Sequence, residues 1–142
     1  MLIISHRGNL NGPNPERENN PDQIGRTLSH KFDVEIDVWY EDGLFWLGHD
    51  EPIYMVCEDF LKQKGLWCHA KNDAALFRLL PLGVHCFAHD KDDFVLTSQG
   101  FLWHYPTNRQ FLTPASIIVL QNGGQIPELC YGICCDNPMH YI

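Results

Sequence analysis

The stretch Phe32-Asp33-Val34-Glu35-Ile36-Asp37-Val38 alternates apolar and acidic side chains. That is the period-2 pattern of a β-strand with two unlike faces. Val34, Ile36 and Val38 share one face, suited to packing beneath helices, and Glu35 and Asp37 share the other. Two carboxylates on one inward face repel each other and lose hydration, so they need a cation or a shared proton. Hard oxygen donors of this kind suit Mg²⁺ or Ca²⁺. On an edge strand the same alternation is a solvated outer face, and the pattern alone leaves both readings open. Beyond it, Asp42-Gly43 is a hairpin signal. The returning arm Leu44-Phe45-Trp46-Leu47 runs out at Gly48-His49-Asp50.

Further short apolar runs recur on both sides: Leu2 to Ser5, Leu66 to Ala70, Val84 to Ala88, Phe101 to Tyr105, Ser116 to Leu120 and Gly132 to Cys135. Their length and their β-branched and aromatic content favour strands. Helices are expected at Asp22 to Leu28, at Glu58 to Lys64, and most clearly at Asp73 to Leu80, where Asn72 is the N-cap and Gly83 the stop. Asp90 to Ser98 and Gln125 to Leu129 have room for a turn or two each, Pro106 to Ala115 reads as a loop, and Asn9 to Pro21 as an exposed loop.

Strand, connection, strand is the grammar of a parallel α/β sheet. Most runs end in polar residues: His6-Arg7, His69 and Lys71, His89-Asp90, His104-Tyr105, Gln121-Asn122 and Asp136-Asn137. Chemistry at the carboxyl ends of many strands favours a (β/α) barrel over an open sheet with one switch point. The chain has 142 residues, against roughly 200 or more for a usual barrel of this type. The expected fold is therefore a reduced or incomplete (β/α) TIM-type barrel, with about seven barrel strands, a hairpin arm and short crossovers, forming a single domain over 1–142.

With 44% hydrophobic and 20% charged residues, the composition is that of a folded globular chain, not a disordered one. A net charge of −8 argues against non-specific nucleic-acid binding and against docking on anionic membranes. No apolar run is long enough to span a bilayer, and no leader peptide is visible at Met1-Leu2-Ile3-Ile4-Ser5. The expectation is a cytoplasmic protein without membrane insertion. The cysteines (Cys57, Cys68, Cys86, Cys130, Cys134 and Cys135) then read as reduced thiols, mostly packed as small hydrophobes. They form no CxxC pair, so a structural zinc site is not expected.

In order along the chain stand His6-Arg7-Gly8, Glu18-Asn19-Asn20, Glu35-Ile36-Asp37-Val38, Asp42-Gly43 and His49-Asp50. This series resembles the glycerophosphodiester phosphodiesterase family and, more broadly, the phospholipase-C-like phosphodiesterase barrels. His69-Ala70-Lys71 is a weaker echo of the family's Glu-x-Lys, and Cys135-Asp136-Asn137-Pro138 of its closing Thr-Asp-x-Pro. The resemblance implies a metal-dependent phosphodiesterase of lipid metabolism acting on a small, glycerophosphodiester-like substrate. It implies a general acid/base pair in His6 and His49, and phosphate binding by Arg7 and Lys71. It implies a metal set of Glu35, Asp37, His69 and Glu18, supported by Asn19, Asp50 and Asp136. Glu16 rivals Glu18, since Pro15 directly precedes it. His69 stands where the family has a carboxylate and admits Mn²⁺ or Zn²⁺ beside Mg²⁺ or Ca²⁺.

Two other outcomes stay open: a sphingomyelinase D-type lyase giving a cyclic phosphate, and a trimmed, non-catalytic relative that binds phosphate or metal. A trimmed barrel also exposes apolar flanks, which makes a homo-oligomer a fair expectation. His30 and His85 read as surface or loop histidines, while His89 and His104, at strand ends, read equally as pocket residues. Trp103 and Tyr105 read as core or pocket, Trp39 and Trp46 as packing around the hairpin, and Cys134-Cys135 as buried thiols.

Overall fold

The computed structural model describes residues 1–107, 111–121 and 124–142. Asn122, expected at a strand end, and residues 108–110 of the expected Pro106–Ala115 loop lie outside the described residues. Ten strands form one sheet: β1 (Leu2–His6), β2 (Asp33–Glu41), β3 (Leu44–Leu47), β4 (Tyr54–Val56), β5 (Leu66–Ala70), β6 (Cys86–Ala88), β7 (Phe94–Leu96), β8 (Leu102–His104), β9 (Ser116–Val119) and β10 (Gly132–Cys135). Three short helices accompany them: α1 (Pro21–Ser29), α2 (Glu58–Leu61) and α3 (Asp73–Leu79).

Parallel pairing runs β6-β5-β2-β1-β10-β9-β8. Two antiparallel additions make the sheet mixed: β3 and β4 extend from β2, and β7 pairs with β8. The sheet curls until its distant strands face each other. Trp67 of β5 lies 5.8 Å from Trp103 of β8, and Phe87 of β6 stacks on Trp103 at 4.6 Å.

The expected TIM-type (β/α) barrel is therefore corrected. The molecule is a curled, mostly β half-barrel whose strands outweigh its helices. The physical reason is chain length. After β6 the described connections carry no α-helix, and the antiparallel β7 occupies the place of a crossover. β6 and β8 share no backbone ladder among the described residues, so the sheet stays open along that seam. The short strand β7 replaces what reads in sequence as a turn or two, and β4 lies in a stretch to which the sequence assigns no element.

The local rules hold where the sequence is strong. Asp42 and Gly43 both adopt positive φ, at 53° and 74°, the primed turn that suits a right-twisted hairpin. Asn20 accepts from the backbone of Asp22 and Gln23 to cap α1, and Asn72 accepts from Ala75 to cap α3. Gly83, at φ 69°, ends the helical turn that follows α3.

Pleat alternation sorts side chains to the two sheet faces. The outer face carries Val34, Ile36, Val38, Leu66, Cys68 and Cys86, packed with Ile24, Ala75 and Leu79 from the helices. The inner face is layered. Ile4, Trp67, Phe87, Trp103, Ile117 and Cys134 form an apolar floor. One pleat further along lie His6, Asp37, His69, His89, Tyr105 and Asp136, at the carboxyl ends of the parallel strands. Cys68, Cys86, Cys134 and Cys135 are buried, Cys130 is half-buried and Cys57 exposed, all as free thiols. His30 is exposed as expected, but His85 is buried, its ring 3.9 Å from that of Trp67. No helix among the described residues is long and apolar enough to cross a membrane.

Candidate active site

Register alone brings the acidic residues to their neighbours. In the parallel ladders His6 pairs with Glu35, and Asp37 with His69. Glu35 and Asp37 are 2% and 1% exposed, which settles their face: they point into the cup, not to solvent. Asp37 Oδ1 lies 3.3 Å from His69 Nδ1 and 4.0 Å from Lys71 Nζ. Asp37 Oδ2 lies 3.2 Å from Arg7 Nε and accepts a hydrogen bond from Asn19 Nδ2 at 2.9 Å. The Asp37 amide donates back to Asn19 Oδ1 at 2.9 Å. Glu35 stands 3.6 Å from His69 Nδ1 and 3.9 Å from His6 Nε2.

The loop after β1 carries the next layer. Arg7 and Asn19 both sit at positive φ, 56° and 60°. The Arg7 amide donates to the Glu35 carbonyl at 2.9 Å, and the Asn19 amide to the Arg7 carbonyl at 3.0 Å. Gln23 and Thr27 of α1 both donate to the Gly8 carbonyl and tie the loop to the helix. Arg7 Nη1 donates to Glu18 Oε2 at 3.0 Å, and Asn9 Nδ2 donates to Glu18 Oε1 and to Asp136 Oδ1. Glu16 is exposed, so between the two rivals it is Glu18 that faces the site. Glu18 is held by Arg7 and Asn9, one layer away from the cluster of Glu35, Asp37 and His69.

Each proposed proton-transfer histidine is bonded to a carboxylate. His6 Nδ1 donates to Asp136 Oδ1 at 2.7 Å, and His49 Nδ1 to Asp50 Oδ1 at 2.8 Å. Such a bond fixes the tautomer and leaves Nε2 as the exchanging nitrogen. The His49 loop is held by its own strands: Trp39 Nε1 donates to the Gly48 carbonyl at 2.7 Å, and the Gly48 amide to the Asp37 backbone carbonyl at 3.2 Å.

A cavity of about 370 Å³ is lined by His6, Arg7, Glu35, His49, His69 and Lys71 on one side, and by His89, Asp90, Trp103, Tyr105 and Val119 on the other. His6, Arg7, His49, Glu35, His69 and Lys71 therefore meet in one place. Asp37 and Asn19 lie beneath them, Asp136 and Glu18 behind, and Asp50 out in solvent beside His49. Asn9 was not legible as a site residue. It sits in what reads as an exposed loop, yet it is 3% exposed and bridges two carboxylates.

The electrostatics follow from burial and close pairing. Burial alone would raise the Asp37 carboxyl, but the close His69 imidazole and the Arg7 charge hold it down at about 2. Burial would lower the His69 imidazole, yet Asp37 and Glu35 hold it up at about 9. For His6, burial is likewise outweighed by the Asp136 bond and the Glu35 charge, so its pKa is raised. Four carboxylates (Glu18, Glu35, Asp37 and Asp136) face two fixed cations, Arg7 and Lys71. Two negative charges remain. Protons on His6 and His69 balance them, and so does one divalent cation.

The donor set fits such a cation. Ligand atoms of Glu35, Asp37 and His69 all lie within 4.8 Å of one another. Glu35 Oε2 and Asp37 Oδ1 are closed off from solvent without a hydrogen-bond partner, the state of oxygens that a metal would satisfy. The imidazole would bind as the neutral base, so an ion would take the place of its proton. No protein-family model matches the chain, and no curated protein matches it.

Proposed function

We propose that this chain cleaves small phosphodiesters with the help of a divalent cation held by Glu35, Asp37 and His69. The observation that supports this most is the pair of unpartnered, buried carboxylate oxygens, Glu35 Oε2 and Asp37 Oδ1. Glu35 lines the cavity that both His6 and His49 line, and Asp37 lies beneath it. When bound, the cation supplies Lewis acidity toward a phosphoryl oxygen and offsets charge in the transition state.

The remaining work falls to the protein. Arg7 and Lys71 line the same cavity and add positive charge for the other phosphoryl oxygens. Arg7 is oriented by Asp37 and Glu18, so its guanidinium is positioned before substrate arrives. His6, with Nδ1 tied to Asp136, exchanges a proton through Nε2. His49, with Nδ1 tied to Asp50, does the same from the hairpin side. One takes the proton of the attacking hydroxyl and the other protonates the leaving alkoxide. Each transfer is typically worth about 10²- to 10⁴-fold in rate. Asn19 clamps Asp37 through two hydrogen bonds, which leave Asp37 Oδ1 beside His69, where it would hold the ion.

The test is turnover of a glycerophosphodiester with Mg²⁺, Mn²⁺, Ca²⁺ or Zn²⁺, each against chelator. Expected is chelator-sensitive turnover in the wild type, lost by about 10²-fold or more in His6→Ala and in His49→Ala while fold and cation binding persist. A near wild-type rate in either variant would remove that imidazole from the proton transfers. Product analysis reads the attacker: a cyclic phosphate for an internal hydroxyl, an open monoester for water.

A further inference from the structure

The half-barrel is open at its amino end as well. Another cavity there, of about 610 Å³, shares no residue with the one at the carboxyl ends of the strands. That volume lies in the range of small-molecule sites, whereas a closed barrel fills its interior with layers of side chains. Asp33 opens β2, is half-buried, and shares the inward face of Glu35 and Asp37. Its Oδ2 accepts from Trp67 Nε1 at 2.9 Å. Its Oδ1 takes no hydrogen bond among the described residues and is not closed off from solvent. A Cβ at Gly65 would stand 3.0 Å from that oxygen, so the glycine keeps it open.

Beside the carboxylate runs a chain of rings. Trp67 lies 3.9 Å from His85 and 5.3 Å from Phe101, and Phe101 lies 4.7 Å from Tyr131. Tyr131 is 47% exposed, so the outer end of the chain is free to take another ring. Lys62 and Lys64 also line the cavity and are exposed. Among the described residues no carboxylate lies within 4.0 Å of either ammonium.

Rings beside a carboxylate suit an organic cation, but two ammonium groups at the same cavity repel one. A planar ring with N–H donors and an anionic tail uses every group. We propose that the amino-end cavity binds a guanine nucleotide, its base against Phe101 and Tyr131, its N–H edge on Asp33 and its phosphate at Lys62 and Lys64. Guanine sets N1–H and the exocyclic N2–H side by side, two donors for one carboxylate. Adenine and cytosine set a ring acceptor beside their amino group, and that lone pair repels the carboxylate. The lysines act on the phosphate as point charges. Binding here needs none of the residues assigned to phosphodiester cleavage.

The test is calorimetric titration of the full chain, in chelator, with guanosine monophosphate (GMP), adenosine monophosphate (AMP) and guanosine. Expected is one GMP per chain, with AMP weaker by about tenfold or more. Guanosine should be weaker by about fivefold or more, a gap that narrows in high salt. Asp33→Asn keeps the size of the side chain and an acceptor for Trp67. It should cost about tenfold or more in GMP affinity and erase the preference over AMP. Tyr131→Ala, at an exposed ring, should cost about fivefold or more. Lys71→Ala, in the other cavity, should change nothing. No binding of GMP to the wild type, or GMP bound no better than AMP or guanosine, overturns the proposal. So does unchanged GMP affinity in Asp33→Asn, or a loss in Lys71→Ala equal to that in Asp33→Asn. If Asp33→Asn does not fold, Tyr131→Ala decides, and unchanged GMP affinity there overturns it.

Discussion

Replacing Asn19 by alanine tests how the half-barrel holds its acidic pair. Asn19 is 1% exposed and exchanges two 2.9 Å hydrogen bonds with Asp37, one of them to the carboxylate. Its φ of 60° lies in the left-handed region, which asparagine tolerates and alanine does not. Losing the bond to a charged acceptor costs about 1.5–3 kcal/mol, and leaving the buried Asp37 amide unpaired about 1–3 kcal/mol. The left-handed backbone adds about 1 kcal/mol for alanine. A loss of roughly 3.5–7 kcal/mol is a large share of the 5–15 kcal/mol that keeps a domain folded. Asn19→Gly removes the same bonds without the backbone strain and should recover roughly 0.5–1 kcal/mol relative to alanine. Urea unfolding of the three proteins reads both differences. An alanine cost below about 1 kcal/mol would refute the idea that Asn19 clamps Asp37, and a glycine variant no more stable than alanine would refute the strain argument.

Two further outcomes follow from single residues. Burial pushes the His85 imidazole down to about 4, so folding favours its neutral form. As pH falls, the unfolded imidazole takes up a proton first, near 6.5. His85 therefore contributes fully above that pH, and its contribution is lost as pH falls from about 6.5 toward about 4. Urea midpoints should show the wild type losing on the order of 1–3 kcal/mol more than His85→Gln between pH 7 and pH 4.5; parallel losses would contradict it. At Gly48 an added Cβ would lie 1.9 Å from the backbone oxygen of Glu51, which cannot yield as a side chain can. Gly48→Ala should displace the His49 loop and cut diester turnover about 10²-fold without weakening cation binding; unchanged turnover would show that this loop does not position His49.

Much of the site was legible because it depends on alternation. Val34, Ile36 and Val38 on one side and Glu35 and Asp37 on the other follow from period 2 alone, as does Asp42-Gly43 as a turn. Asn72 and Gly83 marked the ends of α3 and its continuation through local hydrogen bonding. What was not legible depends on distant partners. β7 is a strand because β8 pairs with it, and three residues between an acidic turn and the polar Thr97-Ser98-Gln99-Gly100 carry too little pattern to announce that. β4 likewise depends on β3. His85 is buried because Trp67 lies against it, and Asn9 because Glu18 and Asp136 converge on it from different parts of the chain. The closed (β/α) barrel was over-read: polar strand ends need only a curled parallel ladder, and this chain is too short to add a helix after every strand.

The most direct measurement is a calorimetric titration of the metal-free protein with Mn²⁺ and Mg²⁺, in wild type, Glu35→Gln and His49→Ala. One ion should bind per chain, with affinity reduced about tenfold or more in Glu35→Gln and unchanged in His49→Ala. No binding to the wild type, or the same affinity in Glu35→Gln, would contradict a cation held between Glu35, Asp37 and His69.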